Sequence, residues 1–441
     1  MVRERAKSLL IDGLGVAIAS TNYDFAAPTL QAVSAMAGDG SSPVIGSTRR
    51  LPMRDAAFVN GILVHGIDYD DTHMGSVTHT TASLLPTTLA VAIHQGSSGG
   101  DMLAAFILGT EVAARIGAVQ GGFHQTGFHP TGVIGAFAAA VAAGRLLRLD
   151  EEALVHAQGI VLSFASGTFQ FLEDGSWTKR LHPGWAASAG ITAAYLASTG
   201  FRGVDLPYEG RFGLYATHME TPAPLSEIGL GLSSLGSEWE TEKVAVKPFP
   251  ACHFTHACAD AAIRLYEQGV SAGRAARVVA RVPAGVVNIV CEPREIKLRP
   301  KTAYDAQFSI PYIVATALLR GRFGLAELAD DALRDPEVLA LAERVFHEVD
   351  VDAEFPRYYS GEVVVENPDG TVARASERIN RGSAERPLSA EDIAGKFAEN
   401  TSDVIGAERA ARILDAVMGL DHAPATFELA ALLAQHTTGH P

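Results

Sequence analysis

Eleven of the chain's fifteen histidines lie between His65 and His256, and seven of these gather with carboxylates and scarce cations in four short segments. The first is His65-Gly66-Ile67-Asp68-Tyr69-Asp70-Asp71-Thr72-His73, followed by Thr78-His79-Thr80. An imidazole titrates near neutral pH and can give or take a proton, so this is a candidate acid–base loop. His and Asp also ligate metals. However, there is no HExxH, Asp70-Asp71-Thr72-His73-Met74 lacks the last acid of a magnesium-binding DDxxD, and the loop lacks the glycine and closing glutamate of an EF-hand. A solvated loop with capping aspartates is the plainer reading.

Phe128-His129-Pro130-Thr131-Gly132 opens a helix, where unpaired N–H groups favour an anion such as a carboxylate. A structural, capping histidine is the alternative. Asp174-Gly175-Ser176-Trp177-Thr178-Lys179-Arg180-Leu181-His182-Pro183 carries a Lys-Arg pair beside an apolar helix, and a lysine near a low-dielectric cleft either pairs with an anion or loses its proton. The fourth segment, Lys247-Pro248-Phe249-Pro250-Ala251-Cys252-His253-Phe254-Thr255-His256, falls where the texture of the sequence changes. Cys252 beside His253 could act as a nucleophile, but no oxyanion-hole signature accompanies it.

The elements that must position these segments are mostly helical up to about residue 245. Lys7 to Ala19, Arg54 to His65, Met102 to Val119, Val133 to Leu147 and Pro183 to Ser198 are Ala/Leu-rich runs. Several are apolar nearly all round, as buried helices are. Asp101 is read as a cap and Pro183 as a first-turn proline. Beyond Lys247, Arg277 to Pro283 alternates as a half-buried strand, and Gly361 to Glu366 and Thr371 to Ala375 flank an Asn-Pro-Asp-Gly turn. A helix over Ser309 to Leu319 lies between the strand groups. Ser389 to Phe397 and Ala407 to Met418 are helical again. The expected architecture is mainly α: a large all-helical domain over 1–246 and 386–441, and a smaller α+β lid domain over 247–385.

Composition narrows the class. Of 441 residues, 47% are apolar and 19% charged, which excludes a disordered chain. A formal net charge of −15 argues against nucleic-acid binding and against acidic membrane surfaces. The acids concentrate beyond Glu327, so the local field around Lys179, Arg180 and Lys247 still suits a small anion. The apolar window Val133 to Gly144 is too short to span a membrane. Cys252, Cys258 and Cys291 form no CxxC pair, and a reducing cytoplasm is the expected location. No Walker-type nucleotide motif is present.

Taken in order, Asn60-Gly61 through His65-Gly66-Ile67-Asp68-Tyr69-Asp70-Asp71-Thr72, Phe128-His129-Pro130, Gly175-Ser176-Trp177-Thr178-Lys179-Arg180-Leu181-His182-Pro183-Gly184 and Lys247-Pro248-Phe249-Pro250-Ala251 resemble the MmgE/PrpD family. The resemblance spans nearly the whole chain. That family includes 2-methylcitrate dehydratases, cis-aconitate decarboxylases and iminodisuccinate epimerases. The resemblance implies a homodimer without metal or organic cofactor, acting on a small polycarboxylate held between the two domains. It implies catalytic roles for His79, His129, Lys179, Asp68 and Thr72. Lys247, Arg180, His253, His256 and Cys252 are the expected substrate-binding residues. Two positions depart from the decarboxylase branch: Cys252 stands where that branch has a histidine, and Val287 aligns with its tyrosine.

The expected chemistry is formation of a carbanion or enolate beside a carboxylate. Fixed cations and donors would stabilise it, with Lys179 and Lys247 on substrate carboxylates, His79 as acid or base, Asp68 orienting and Thr72 donating a hydrogen bond. Dehydration, decarboxylation and epimerisation all fit that constellation. A metal-dependent hydrolase and a non-catalytic polycarboxylate-binding homologue are the readings from other classes.

Overall fold

The computed structural model describes residues 1–119, 122–221 and 232–434. It divides into two compact units, one formed by Met1–Gly66, Asp70–Val246 and the chain from Ser389 onward, the other by Ile67–Tyr69 and Lys247–Leu388. The mainly α fold class expected from the sequence is the one that forms. Among the described residues, no helix is long and apolar enough to cross a membrane.

The first unit is built around helix Pro130–Leu146, which packs against helices Gly99–Gly117, Thr80–Gln95 and Thr178–Ser198. Pro130 occupies the first helical turn, where its missing N–H costs little. Every residue of this helix except Arg145 is buried, as an Ala/Gly-rich helix apolar all round should be. Val2–Ser20 packs against Ala390–Ile405, which returns the C-terminal helices to this unit. Their contact includes a buried ion pair of Lys396 with Asp12 at 2.5 Å.

Two local expectations are corrected. Ser98, not Asp101, caps helix Gly99–Gly117: its Oγ accepts from the Asp101 N–H at 3.1 Å and donates to the Asp101 carboxylate. The helix therefore starts one turn earlier, with Asp101 supplying the reciprocal bond. Pro183 lies inside helix Thr178–Ser198 rather than in its first turn. The preceding turn, Thr178 to His182, is thereby helical, and its cations project from a helix rather than a loop.

Where helix Met53–Val64 crosses Thr178–Ser198, glycine meets glycine. A Cβ on Gly61 would sit 2.6 Å from the Gly184 Cα, and one on Gly184 would sit 2.3 Å from the Phe58 carbonyl oxygen. Only hydrogen fits between these backbones, and backbone cannot swing aside as a flexible side chain can. The crossing fixes the end of the first helix, at His65, against the start of the second, which bears Lys179, Arg180 and His182.

In the second unit, a four-stranded sheet runs in the order Val345–Val349, Arg277–Val282, Gly361–Glu366, Val372–Glu377. The first pair is parallel, with Val278 opposite Val345, and the others are antiparallel. The parallel strand over Val345–Val349 was not anticipated. It shows little alternation in burial, and its partner lies more than sixty residues back in the chain. Val278, Val363 and Val365 form a core with Ala262 and Ile313 from helices His256–Glu267 and Ile310–Arg320. At the hairpin, Asn367 N–H donates to the Thr371 carbonyl at 2.9 Å, and Gly370 takes the positive φ of +86° that the turn demands.

Gly184→Ala should destabilise the protein by about 1–3 kcal/mol through overpacking at the crossing. Chemical denaturation of the purified variant measures this, and an unchanged midpoint would contradict the close approach described.

Candidate active site

Four imidazoles of the first unit stand together. The His65 ring centroid lies 4.7 Å from that of His79 and 5.8 Å from that of His129, and His129 lies 5.1 Å from His182. Each has a structural reason to be there. His65 follows the last turn of helix Met53–Val64. His79 and His129 occupy the N-cap positions of Thr80–Gln95 and Pro130–Leu146, neither using its ring to cap. His182 lies on Thr178–Ser198, three residues after Lys179 and therefore on the same face.

Their neighbours settle which ring nitrogens carry protons. His79 Nδ1 lies 2.6 Å from the Asp71 carbonyl oxygen, which only accepts, so Nδ1 bears hydrogen. Thr72 Oγ1 lies 3.4 Å from the same nitrogen, and the Asp70 carboxylate 3.7 Å. His65 Nδ1 lies 2.8 Å from Asp70 Oδ2, with both side chains 0% exposed, so His65 donates to the carboxylate. Among the described residues, His65 Nε2 is buried with no hydrogen-bond partner. His129 and His182 meet Nδ1 to Nδ1 at 2.9 Å. One of that pair must donate and the other accept, so both cannot be imidazolium. Burial first, then the neighbouring His182, Lys179 and other imidazoles, hold the pKa of His129 well below its usual value. Burial with His65 and Lys179 brings that of His182 down to about 4.

The loop beneath is anchored by Asp71. Its carboxylate accepts from the Thr81 N–H at 3.2 Å and from the Thr81 hydroxyl. Thr72–His73 pairs antiparallel with Val244–Ala245, and the His79 N–H donates to Thr131 Oγ1 at 3.1 Å. Lys179 is buried, with a positive charge felt by both His129 and His182. Arg180 is engaged within its own unit: Nε donates to the Gly66 carbonyl at 2.5 Å, and the guanidinium lies 4.6 Å from the Phe25 ring centre. Gly66 admits that packing because a Cβ there would meet Phe25 Cζ at 2.4 Å.

The remaining sequence-predicted residues belong to the second unit. Asp68 takes a left-handed φ of 52°, a conformation a non-glycine residue holds only when its surroundings enforce it. The buried Lys247 ammonium donates to both the Asp68 carbonyl, at 2.9 Å, and Oδ1, at 2.7 Å. Cys252 is buried, and its N–H donates to the Gln307 carbonyl at 2.9 Å. The His253 ring accepts from Asn380 Nδ2 through Nε2 at 2.9 Å. His256 is fully buried against Phe249 and His253, and donates through Nε2 to the Ala251 carbonyl at 3.1 Å. Burial, then His253 and Lys247, keep its pKa well below the usual value. Val287 packs against the apolar core of this unit.

Sequence reasoning therefore named His79, His129 and Lys179, which the structure brings into one neighbourhood, but passed over His65, Asp70 and His182. The i, i+3 spacing of Lys179 and His182 could have flagged the last. It also passed over Gln307, whose amide donates to the Ile67 and Pro250 carbonyls at 2.5 and 2.9 Å, and nothing in its local sequence marks it. Chemically, the first unit offers a cluster of buried imidazoles, with His65 and His79 donating from Nδ1, beside the buried Lys179. That set can exchange protons and hold a carboxylate.

One pH dependence follows. Burial, with Asp70 and Asp12 nearby, raises Asp71 to about 7 against an ordinary value near 3.8. The folded protein thus holds a proton that the unfolded chain releases, so stability should fall as pH rises from about 4 to 7. The loss is at most about 1.4 kcal/mol per pH unit. Denaturation at pH 5 and pH 8 should show a smaller pH effect in Asp71→Asn than in the parent; equal effects would remove Asp71 as the cause.

Residues 1–225 match the MmgE/PrpD N-terminal domain and residues 249–422 the MmgE/PrpD C-terminal domain. The chain is 31% identical to the cis-aconitate decarboxylase of Homo sapiens, over 95% of this chain and 88% of that one. It is 27% identical to the cis-aconitate decarboxylase-like protein oryM of Aspergillus oryzae, over 98% and 93%. It is 23% identical to the 2-methylcitrate dehydratase of Salmonella typhimurium, over 85% and 83%. Decarboxylases and dehydratases are both lyases. With both domain matches in place and a relative above 30% identity along almost its full length, the chain belongs to the MmgE/PrpD family.

Proposed function

We propose that this protein is a cofactor-independent lyase acting on a small di- or tricarboxylate, with cis-aconitate the first compound to test. The observation that carries the reading is the packing of His65, His79 and His129 into one buried cluster with Lys179 near by. Higher identity to the decarboxylases than to the dehydratase supports the choice of compound.

In this reading Lys179 neutralises a substrate carboxylate, and His79 exchanges protons through Nε2 while the Asp71 carbonyl holds its Nδ1–H. In decarboxylation the C–C bond to the departing carboxylate breaks. Its electron pair passes into the conjugated acid and CO₂ leaves; His79, having taken a proton from water at Nε2, delivers that proton to carbon and is left as the neutral Nδ1–H ring. In dehydration a base removes a carbon-bound proton and an acid protonates the departing hydroxyl. Epimerisation of the iminodisuccinate type needs only removal and return of one proton on opposite faces. Lys247, Arg180, His253, His256 and Cys252 are assigned to substrate binding as part of the proposal, each to be tested by its own alanine variant; Asp68 holds the Lys247 ammonium. Cys252 and Val287, where the decarboxylase branch has His and Tyr, keep 2-methylcitrate, citrate and iminodisuccinate in the panel.

Incubation in D₂O with that panel, followed by NMR, distinguishes CO₂ loss, water loss and exchange without net loss. His79→Ala and Lys179→Ala should each lower turnover by roughly 10²-fold or more with unchanged circular dichroism. Near-native rates in either variant sink that residue's role. Turnover should survive exhaustive chelation.

A homodimer is part of the same proposal. Trp177, Leu181 and Trp185 recur every four residues and are 45, 40 and 43% exposed, an apolar stripe suited to a second copy. Light scattering should give twice the chain mass, shifting toward the monomer in Leu181→Glu; a monomeric parent protein refutes it.

A further inference from the structure

The second arrangement this cluster allows is a metal site. One ring nitrogen each from His65, His79 and His129 lies within 4.8 Å of the other two, and all three residues are buried. We propose that these three imidazoles bind one zinc-class divalent cation, and that its occupancy switches the enzyme off.

Two observations support the ligand set. The imidazoles are held from behind at Nδ1, His65 by the Asp70 carboxylate, His79 by the Asp71 carbonyl and His129 by His182. A carboxylate behind a histidine is the outer arrangement that orients a zinc ligand and strengthens its donor nitrogen. His65 Nε2, on the far side of its ring from Asp70, is buried without a hydrogen-bond partner among the described residues. A buried lone pair of this kind gains from any electrophile that can reach it.

Zinc binds imidazole nitrogen at about 2.0–2.1 Å in tetrahedral geometry, so the three nitrogens would draw in to about 3.4 Å of one another. Three protein ligands leave the fourth position for water or an anion. Against the cation stands Lys179, whose charge is felt at His129 and His182. The Asp70 carboxylate, at 2.8 Å from His65 and 3.7 Å from His79, offsets it. The inhibitory half of the inference rests on the proposed function, because zinc would take the nitrogen through which His79 is assigned its proton transfer.

The test uses the full-length protein after chelator treatment and desalting. Calorimetric titration with zinc chloride alone should show one equivalent bound. Cobalt chloride should give the intense visible absorption of a low-coordinate nitrogen site. His65→Gln and His129→Gln should abolish both signals, while the surface variant His94→Gln should keep them. Asp70→Asn should weaken zinc binding about 10–100-fold with unchanged circular dichroism. Less than one equivalent, or equal affinity in His65→Gln and His129→Gln, overturns the site. Zinc that binds stoichiometrically without slowing turnover of whichever panel compound is the substrate overturns the inhibitory role. Turnover lost on chelation and restored by zinc also overturns it, and refutes cofactor independence while leaving the site standing.

Discussion

Two helices of the first unit touch backbone to backbone at Gly61 and Gly184, and the histidine cluster depends on that contact. A helix ends in the turn before His65, and another begins just before Lys179. Because no side chain separates them at the crossing, their ends are placed by main-chain geometry, which varies little with temperature or rotamer. The same logic recurs under the neighbouring helices. A Cβ on Gly190 would meet the Ala140 N at 2.6 Å, and the Ala-rich helix Pro130–Leu146 accepts Thr178–Ser198 at that distance. Small residues here are a positioning device: they trade side-chain burial for a fixed spacing between the elements that carry the imidazoles.

Burial then sets the chemistry. Imidazoles removed from water resist protonation, and each additional one raises the resistance of the rest. What keeps the cluster from being merely apolar is a short list of hydrogen-bond acceptors on its rim: the Asp70 carboxylate and the Asp71 carbonyl. These decide the tautomers, and hence which nitrogen is left to meet a substrate or a cation. The four-residue stretch Asp68-Tyr69-Asp70-Asp71 thus contains three carboxylates in three different employments. Asp68 pairs with Lys247, Asp70 orients His65, and Asp71 anchors the following helix through Thr81.

Much of this was legible in the residues, for identifiable reasons. Long Ala/Leu runs, the alternating Arg277–Val282 and the Pro-Asp-Gly turn carry their structure in local chemistry. The scarcity of charge made Lys179 conspicuous. What escaped was non-local. Asp101 has the composition of a cap, but Ser98 wins the position because its hydroxyl accepts from the Asp101 N–H and donates to the Asp101 carboxylate. The parallel strand Val345–Val349 depends on a partner far back in the chain. His65 and Asp70 were visible as members of a polar loop, yet only the turn between them shows that they are partners. Arg180 looked like a second anion binder, and its stacking on Phe25 could not be seen without knowing that Phe25 is adjacent.

Between His65 and Asp70, the chain leaves one unit for three residues and comes back. Ile67, Asp68 and Tyr69 are bonded within the other unit by Gln307, Lys247 and the Pro248 carbonyl respectively. The smaller unit is therefore not a separable module of contiguous sequence. A fragment cut out as 247–388 would leave the Lys247 ammonium buried without the carboxylate made almost 180 residues earlier. During synthesis that lysine emerges long after its partner, so the smaller unit is completed around a tripeptide made almost 180 residues before it. The two halves have to be inherited, exchanged and redesigned together.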